Sequence, residues 1–199
     1  MTIHTFGDSH CIWRQTILDD KNIHWLGSKL AYSFGRDGLS CCDISKFNVQ
    51  EDDVVVFCFG EIDCRCQIGK RTQNVEEAQT MITDIVVKYV QAVKLNVENF
   101  GKPIRPFILT VTPPVEKNTT HENPQVPFIG TDNERREYTA YFNQKLREEC
   151  EKTRVGVLDV YHDYADDRGF LKRELSDGHV HIRDERFIQQ ALWHSPTGR

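Results

Sequence analysis

Several things are missing from this sequence, and each absence narrows what it can be. No apolar run approaches the ~20 residues of a membrane-spanning helix, so a membrane protein is not expected. The first residues, Met1-Thr2-Ile3-His4-Thr5, have neither the basic stretch nor the apolar core of a secretion signal, which predicts a cytoplasmic location. There is no basic excess: 25 Lys and Arg stand against 30 Asp and Glu, leaving a net charge of −5. A nucleic-acid backbone needs a clustered basic footprint, so nucleic acid is not an expected partner. The adjacent Arg135-Arg136 sits among acids and reads as a solvated helix face. No glycine-rich phosphate loop or dinucleotide fingerprint occurs, and no organic cofactor is expected. Paired C-x-x-C knuckles are also absent. Cys64-x-Cys66 and Cys41-Cys42 stand alone, so no metal is expected, and the odd total of seven cysteines reads as free thiols in a reducing compartment.

What is present is an alternation of two hydrophobic periods. Residues 2–7 alternate as a strand does and stop at Gly7, and Ile23, Trp25 and Leu26 make a short second apolar patch before Gly27. The stretch from Gly27 to Asp53 is too polar and broken to predict a helix. Val54-Val55-Val56-Phe57-Cys58-Phe59, ended by Gly60, is apolar at every position and predicts a central strand covered on both faces. Asn74 and Glu77 are spaced as a helix cap, and Ala78, Ile82, Ile85, Tyr89, Val93 and Val97 then trace one helical face up to Gly101. Residues 107–111 are the next strand. Residues 113–130, with four prolines, predict a long surface loop able to cover a pocket. Thr131-x-x-Glu134 is a capping box before a helix carrying Tyr138, Phe142, Leu146 and Cys150. A strand over 155–160 and a short helix over 186–193 complete the series.

No linker or internal repeat interrupts this order, and 199 residues suit a single domain spanning 1–199. The alternation predicts a three-layer α/β/α sandwich, flavodoxin-like, around a mainly parallel sheet. Ligands in such folds bind beyond the carboxyl ends of the strands. Three segments fall there: Gly7-Asp8-Ser9-His10, Gly60-Glu61-Ile62-Asp63-Cys64-Arg65, and Ser176-Asp177-Gly178-His179-Val180-His181. A serine hydroxyl becomes a nucleophile when a base takes its proton and a carboxylate orients that base. Ser9, His181 and Asp177 supply the three residue types at the first and last strand ends.

At these residues the chain resembles the SGNH (GDSL-type) hydrolases. Gly7-Asp8-Ser9 matches the family's first block, after a strand at the extreme N-terminus, and Asp177 with His181 stands where its tail block is expected. The resemblance implies Ser9 as nucleophile, with its backbone N–H in the oxyanion hole, His181 as base and Asp177 as its orienting carboxylate. It also implies a second-block glycine, for which Gly27 and Gly35 are the candidates. Two departures stand out. The family's tail spacing is Asp-x-x-His, which would place histidine at Val180; here His181 is one residue late and His179, the reserve, one early. The family's third block, Gly-x-Asn-Asp, reads Gly60-Glu61-Ile62-Asp63, with isoleucine where the oxyanion-donating amide should be. Arg65 is the substitute donor in reach of sequence reasoning, and Glu61 and Asp63 are candidates for the site in the same loop that can equally cap the next helix or pair with Arg65.

The expected activity is hydrolysis of a small ester or O-acylated sugar. A silent domain that binds carbohydrate or protein, and an acyltransferase using the same residues, are the alternatives. Oligomeric state is not legible.

Overall fold

The computed structural model describes residues 1–13 and 21–194. Five strands, β1 (Ile3–Gly7), β2 (Lys21–Trp25), β3 (Val54–Cys58), β4 (Arg105–Leu109) and β5 (Gly156–Leu158), form one parallel sheet in the order β2-β1-β3-β4-β5. The central strand β3 shows why the sequence dictates this. Successive side chains of a strand point to opposite faces. Val55 and Phe57 enter one hydrophobic cluster, while Val54, Val56 and Cys58 enter the other. An all-apolar strand can be satisfied only where both faces are covered.

One face is covered by α1 (Ala31–Asp37), α2 (Ile68–Arg71), α3 (Val75–Phe100) and α4 (Asp132–Cys150). Phe34, Ile82, Tyr89 and Phe142 pack there against the sheet. The opposite face is covered by Trp13, by Tyr164 of α5 (Tyr161–Tyr164) and by Ile188 and Leu192 of α6 (Arg186–His194). The long helices obey their local signals. Asn74 accepts the Glu77 N–H at the start of α3, and Gly101 ends that helix in the left-handed conformation. The Thr131–Glu134 capping box opens α4, with both reciprocal bonds formed.

Two expectations fail, for physical reasons. The stretch after Gly27 does contain a helix, α1, whose cap residue Leu30 makes no side-chain bond. Its first N–H groups are met from elsewhere: Asp63 accepts from Ala31 N at 2.8 Å and from Tyr32 N at 3.2 Å. A cap supplied by a residue 32 positions away leaves no local signature. Arg135 is not a solvated residue of a helix face either. It is 1% exposed, donates to Gly130 O and Asp132, and lies 4.9 Å from the Phe128 ring, whose centroid is 5.3 Å from the Arg65 guanidinium. Two guanidiniums thus hold Phe128, which fixes the proline-rich loop against the body of the protein.

The order 2-1-3-4-5 reverses direction between β1 and β3, so the crevice of this sheet opens at their carboxyl ends. The strands approach closely there. A Cβ on Gly7 would lie 2.1 Å from the Cys58 carbonyl oxygen, so only glycine fits the end of β1. His4, near the start of β1, meets His24 late in β2 at 3.1 Å and Asp53 at the entry of β3 at 3.2 Å, and ties the three strands together.

Candidate active site

The chain leaves β1 through Asp8 into a single 3-10 turn, Ser9–Cys11. Asp8 caps this turn by accepting the His10 N–H at 2.8 Å. The cap leaves Ser9 half-buried, with its N–H among the first of a helical turn, where backbone donors lack intrahelical partners. The tail segment arrives as a closed loop. Ser176 and Ile182 bridge as an antiparallel pair, and Asp177 N donates to His181 O at 3.0 Å. Inside the loop, Asp177 Oδ1 accepts the His179 N–H at 2.8 Å, and Oδ2 meets His181 Nδ1 at 3.0 Å. The extra residue between aspartate and histidine is absorbed by this closed turn.

His181 Nε2 lies 2.8 Å from Ser9 Oγ. The partners assign the tautomer. Asp177 Oδ2 is an acceptor, so Nδ1 carries the hydrogen, and Nε2 is left to accept from the serine hydroxyl. Burial, and after it the neighbouring charge of His10, holds the His181 imidazole below its ordinary pKa, against the pull of Asp177. Burial would push Asp177 up, but the His179 N–H and the His181 ring hold it below the usual carboxylate range. A neutral imidazole beside a hydroxyl, backed by a carboxylate, can take a proton at neutral pH. The reserve histidine, His179, turns elsewhere, with its Nδ1 3.3 Å from Thr120 Oγ1.

The segment after β3 forms a helix whose middle, Asp63–Gln67, is π-helical and runs into α2. Its polar residues are engaged with one another and with neighbouring backbone. Arg65 Nε and Nη2 donate to the two Glu61 carboxylate oxygens at 2.6 and 3.0 Å, and Nη1 donates to Val126 O. Arg65 O accepts from Ile129 N at 3.0 Å, so this residue pins the proline-rich loop with backbone and side chain together. Burial opposes the charge on Glu61, yet Arg65 and then His10 hold its pKa low. Asp63 does not pair with Arg65; it is the distant cap of α1, and burial pushes it up to about 7 against those two N–H bonds. Ile62 is buried, 5% exposed, in the place of the family's amide.

The two candidate glycines separate. Gly27 follows β2 beside the Ser9 turn: its neighbour Leu26 donates to Gly7 O at 2.9 Å, and Gly27 itself has a φ of +78° with open space where a Cβ would be. Gly35 lies within α1 against α3, where a Cβ would meet Lys88 Cβ at 2.8 Å. Gly35 therefore serves helix packing and is not brought to Ser9 as an oxyanion donor.

One residue escaped sequence reasoning. His10 Nδ1 lies 2.9 Å from the wholly buried Asp8, and its Nε2 lies 3.2 Å from Val180 O on the tail loop. The Asp8-x-His10 spacing was visible, but its second partner is a backbone carbonyl that no motif encodes. The open cavity over Ser9, about 370 Å³, is bordered by Ile12, His181, Ile182 and Arg183. Among the described residues no cluster of His, Cys, Asp and Glu could hold a metal ion, and all seven cysteines are free. No helix among these residues is long and apolar enough to cross a membrane.

No family model and no curated protein matches the sequence. Solved structures do match in fold. A provisionally named platelet activating factor from Streptococcus pneumoniae superposes with a TM-score of 0.64 at 19% identity, over 96% of this chain and 82% of that one. A GDSL-like lipase from Bacteroides thetaiotaomicron gives 0.61 at 12% identity, over 96% of this chain and 85% of that one. An acetyl xylan esterase gives 0.57 at 16% identity, over 99% of this chain and 100% of that one. This chain is a divergent example of the SGNH (GDSL-type) hydrolase fold.

Proposed function

We propose that this protein is a serine ester hydrolase, one domain over 1–199, acting on a small ester or O-acylated carbohydrate. The observation that carries the reading is the hydrogen-bonded line from Ser9 Oγ through His181 to Asp177. Ser9 Oγ attacks the ester carbonyl carbon while its proton passes to His181 Nε2. Asp177 stabilises the imidazolium so formed. His181 then protonates the departing alkoxide, leaving an acyl group on Ser9. In the second half His181 deprotonates a water, which attacks the acyl carbon, and the serine proton returns. The developing oxyanion faces backbone N–H groups, which we assign to Ser9 and Gly27. Arg65 is assigned to holding Glu61 and the proline-rich loop, in place of the oxyanion role expected from the sequence. A cavity of about 370 Å³ lies near the lower end of the range for ligand sites and supports a small substrate. Free cysteines support a reducing, cytoplasmic setting.

Ile62 favours a second reading, a silent domain that binds carbohydrate or protein, because its side chain cannot donate to an oxyanion. Acyl transfer would use the same residues as hydrolysis. A fluorophosphonate probe separates enzyme from binding module, since it needs an activated serine. The wild type is expected to label and to hydrolyse 4-nitrophenyl acetate, and Ser9→Ala to lose both by ~1,000-fold or more with an unchanged melting temperature. A wild type that is folded but unlabelled would sink the esterase reading.

A further inference from the structure

The site contains a second histidine whose surroundings differ from those of His181. His10 sits on the nucleophile turn with its side chain 7% exposed. Its two ring nitrogens face two oxygens: Asp8 Oδ1 at 2.9 Å and the Val180 carbonyl at 3.2 Å. A carbonyl only accepts, so Nε2 must carry a hydrogen. Asp8 Oδ1 already accepts the His10 backbone N–H at 2.8 Å, which favours a carboxylate there and a hydrogen on Nδ1. Asp8 Oδ2 has no hydrogen-bond partner among the described residues, so His10 is the residue that bonds this buried side chain. Both nitrogens protonated means an imidazolium.

Its position matters as much as its charge. Val180 immediately precedes His181, and Asp8 immediately precedes Ser9. The chain Asp8–His10–Val180 therefore runs alongside Ser9–His181 and joins the same two loops. The His10 and His181 ring centroids are 4.8 Å apart with the planes tilted by 44°. Like charges within ~4–6 Å disfavour each other, so a cationic His10 discourages protonation of His181.

We propose that His10 is a positioning residue, a standing imidazolium that ties the Ser9 turn to the His181 loop and keeps His181 in its neutral, proton-accepting form. The charged groups around it are Asp8 on its own turn, Glu61 with its partner Arg65 after β3, and Asp177 with His181 on the tail loop. Burial opposes the charge, but Asp8 and then Glu61 raise the His10 pKa to about 9. That agrees with the hydrogen-bond geometry.

The inference rests on the esterase reading for its kinetic consequences, and ring-nitrogen NMR of the histidines tests it independently of activity. In the wild type at pH 7, both His10 nitrogens should show the shifts of protonated imidazole, while His181 should show the neutral Nδ1–H form. His10→Ala should lower kcat on 4-nitrophenyl acetate by ~100-fold and leave KM within about threefold. His10→Gln keeps a donor for Val180 O and loses the charge. It should recover most of that kcat, and the acid limb of its kcat/KM profile should move up by about one pH unit. An unprotonated His10 nitrogen at pH 7 would overturn the proposal, as would a His10→Gln profile with an unmoved acid limb. Should the alanine variant fail to fold, wild-type NMR and the glutamine variant still decide. A wild type inert toward both the ester and the fluorophosphonate would refute the esterase reading, and the NMR would still decide the state of His10.

Discussion

Two aspartate–histidine pairs stand side by side at the carboxyl edge of this sheet, and they do opposite things. Asp177 and His181 sit on a partly exposed loop four residues apart, with the second nitrogen against a serine hydroxyl. Asp8 and His10 are buried two residues apart, with the second nitrogen against a backbone carbonyl. A hydroxyl can donate, so His181 can stay neutral and act as a base. A carbonyl cannot donate, so His10 Nε2 must carry a hydrogen, and with Nδ1 against Asp8 the ring is the cation we propose. The same pair of residue types becomes a proton acceptor or a fixed charge according to what the far nitrogen meets.

The largest expected effect probes the exposed pair. Asp177→Asn should cut turnover ~10³–10⁴-fold, because an amide no longer selects the Nδ1–H tautomer. The melting temperature should stay within about 3 °C, since both partners are a third exposed and contribute little to folding. A large fall in melting temperature with turnover intact would reverse the assignment of the two pairs.

Arg65 sharpens the contrast from the buried side. Its side chain and that of Glu61 are 7% and 9% exposed, so Arg65→Ala leaves a buried carboxylate unpaired. The expected cost is about 3–5 kcal/mol, or a melting temperature lowered by roughly 6–20 °C, with turnover per folded molecule nearly unchanged. A stable variant with turnover down ~100-fold would instead make Arg65 an oxyanion donor.

The His10 charge also predicts a pH dependence of stability. The folded state raises its pKa from 6.5 to about 9, so this contribution is complete below pH 6.5 and is lost as pH rises through 9. The loss is on the order of 3 kcal/mol at 1.36 kcal/mol per unit. Urea titrations of the wild type at pH 6 and 9.5 should show it, and His10→Gln should flatten the difference. The smallest effect is expected at the remaining tail histidine. His179 is exposed and bonds Thr120, away from Ser9, so His179→Ala should leave turnover within threefold and serves as the control for the loop.

How far the sequence could be read depended on whether each residue's partner lay nearby in the chain. The α3 cap Asn74, the capping box at Thr131 and the all-apolar β3 are satisfied by close neighbours or by burial, and period and spacing identify them. Ser9 was legible because it follows β1 of a parallel sheet, where strand ends converge. Asp177 and His181 were legible from their place near the end of the chain, although their loop follows the 3-10 turn Arg173–Leu175 and not the strand end expected from the sequence. Arg135 was misread because the ring that covers it belongs to the loop before its helix, and α1 was missed because its cap is Asp63. His10 was missed because half of its environment is a carbonyl on the last loop.

By itself, therefore, the sequence determined the alternation of strand and helix, the parallel sandwich, and the three residue types offered at its carboxyl edge. Those follow from hydrophobic period and local hydrogen bonding, which act over a few residues. The tertiary structure decided which histidine meets Ser9, which glycine flanks it, and what Arg65 and Asp63 hold. It also decided that of two aspartate–histidine pairs one turns its far nitrogen to a hydroxyl and the other to a backbone carbonyl. A protonation state depends on burial and on every charge and hydrogen-bond partner within a few ångströms, and folding brings those together from opposite ends of the chain.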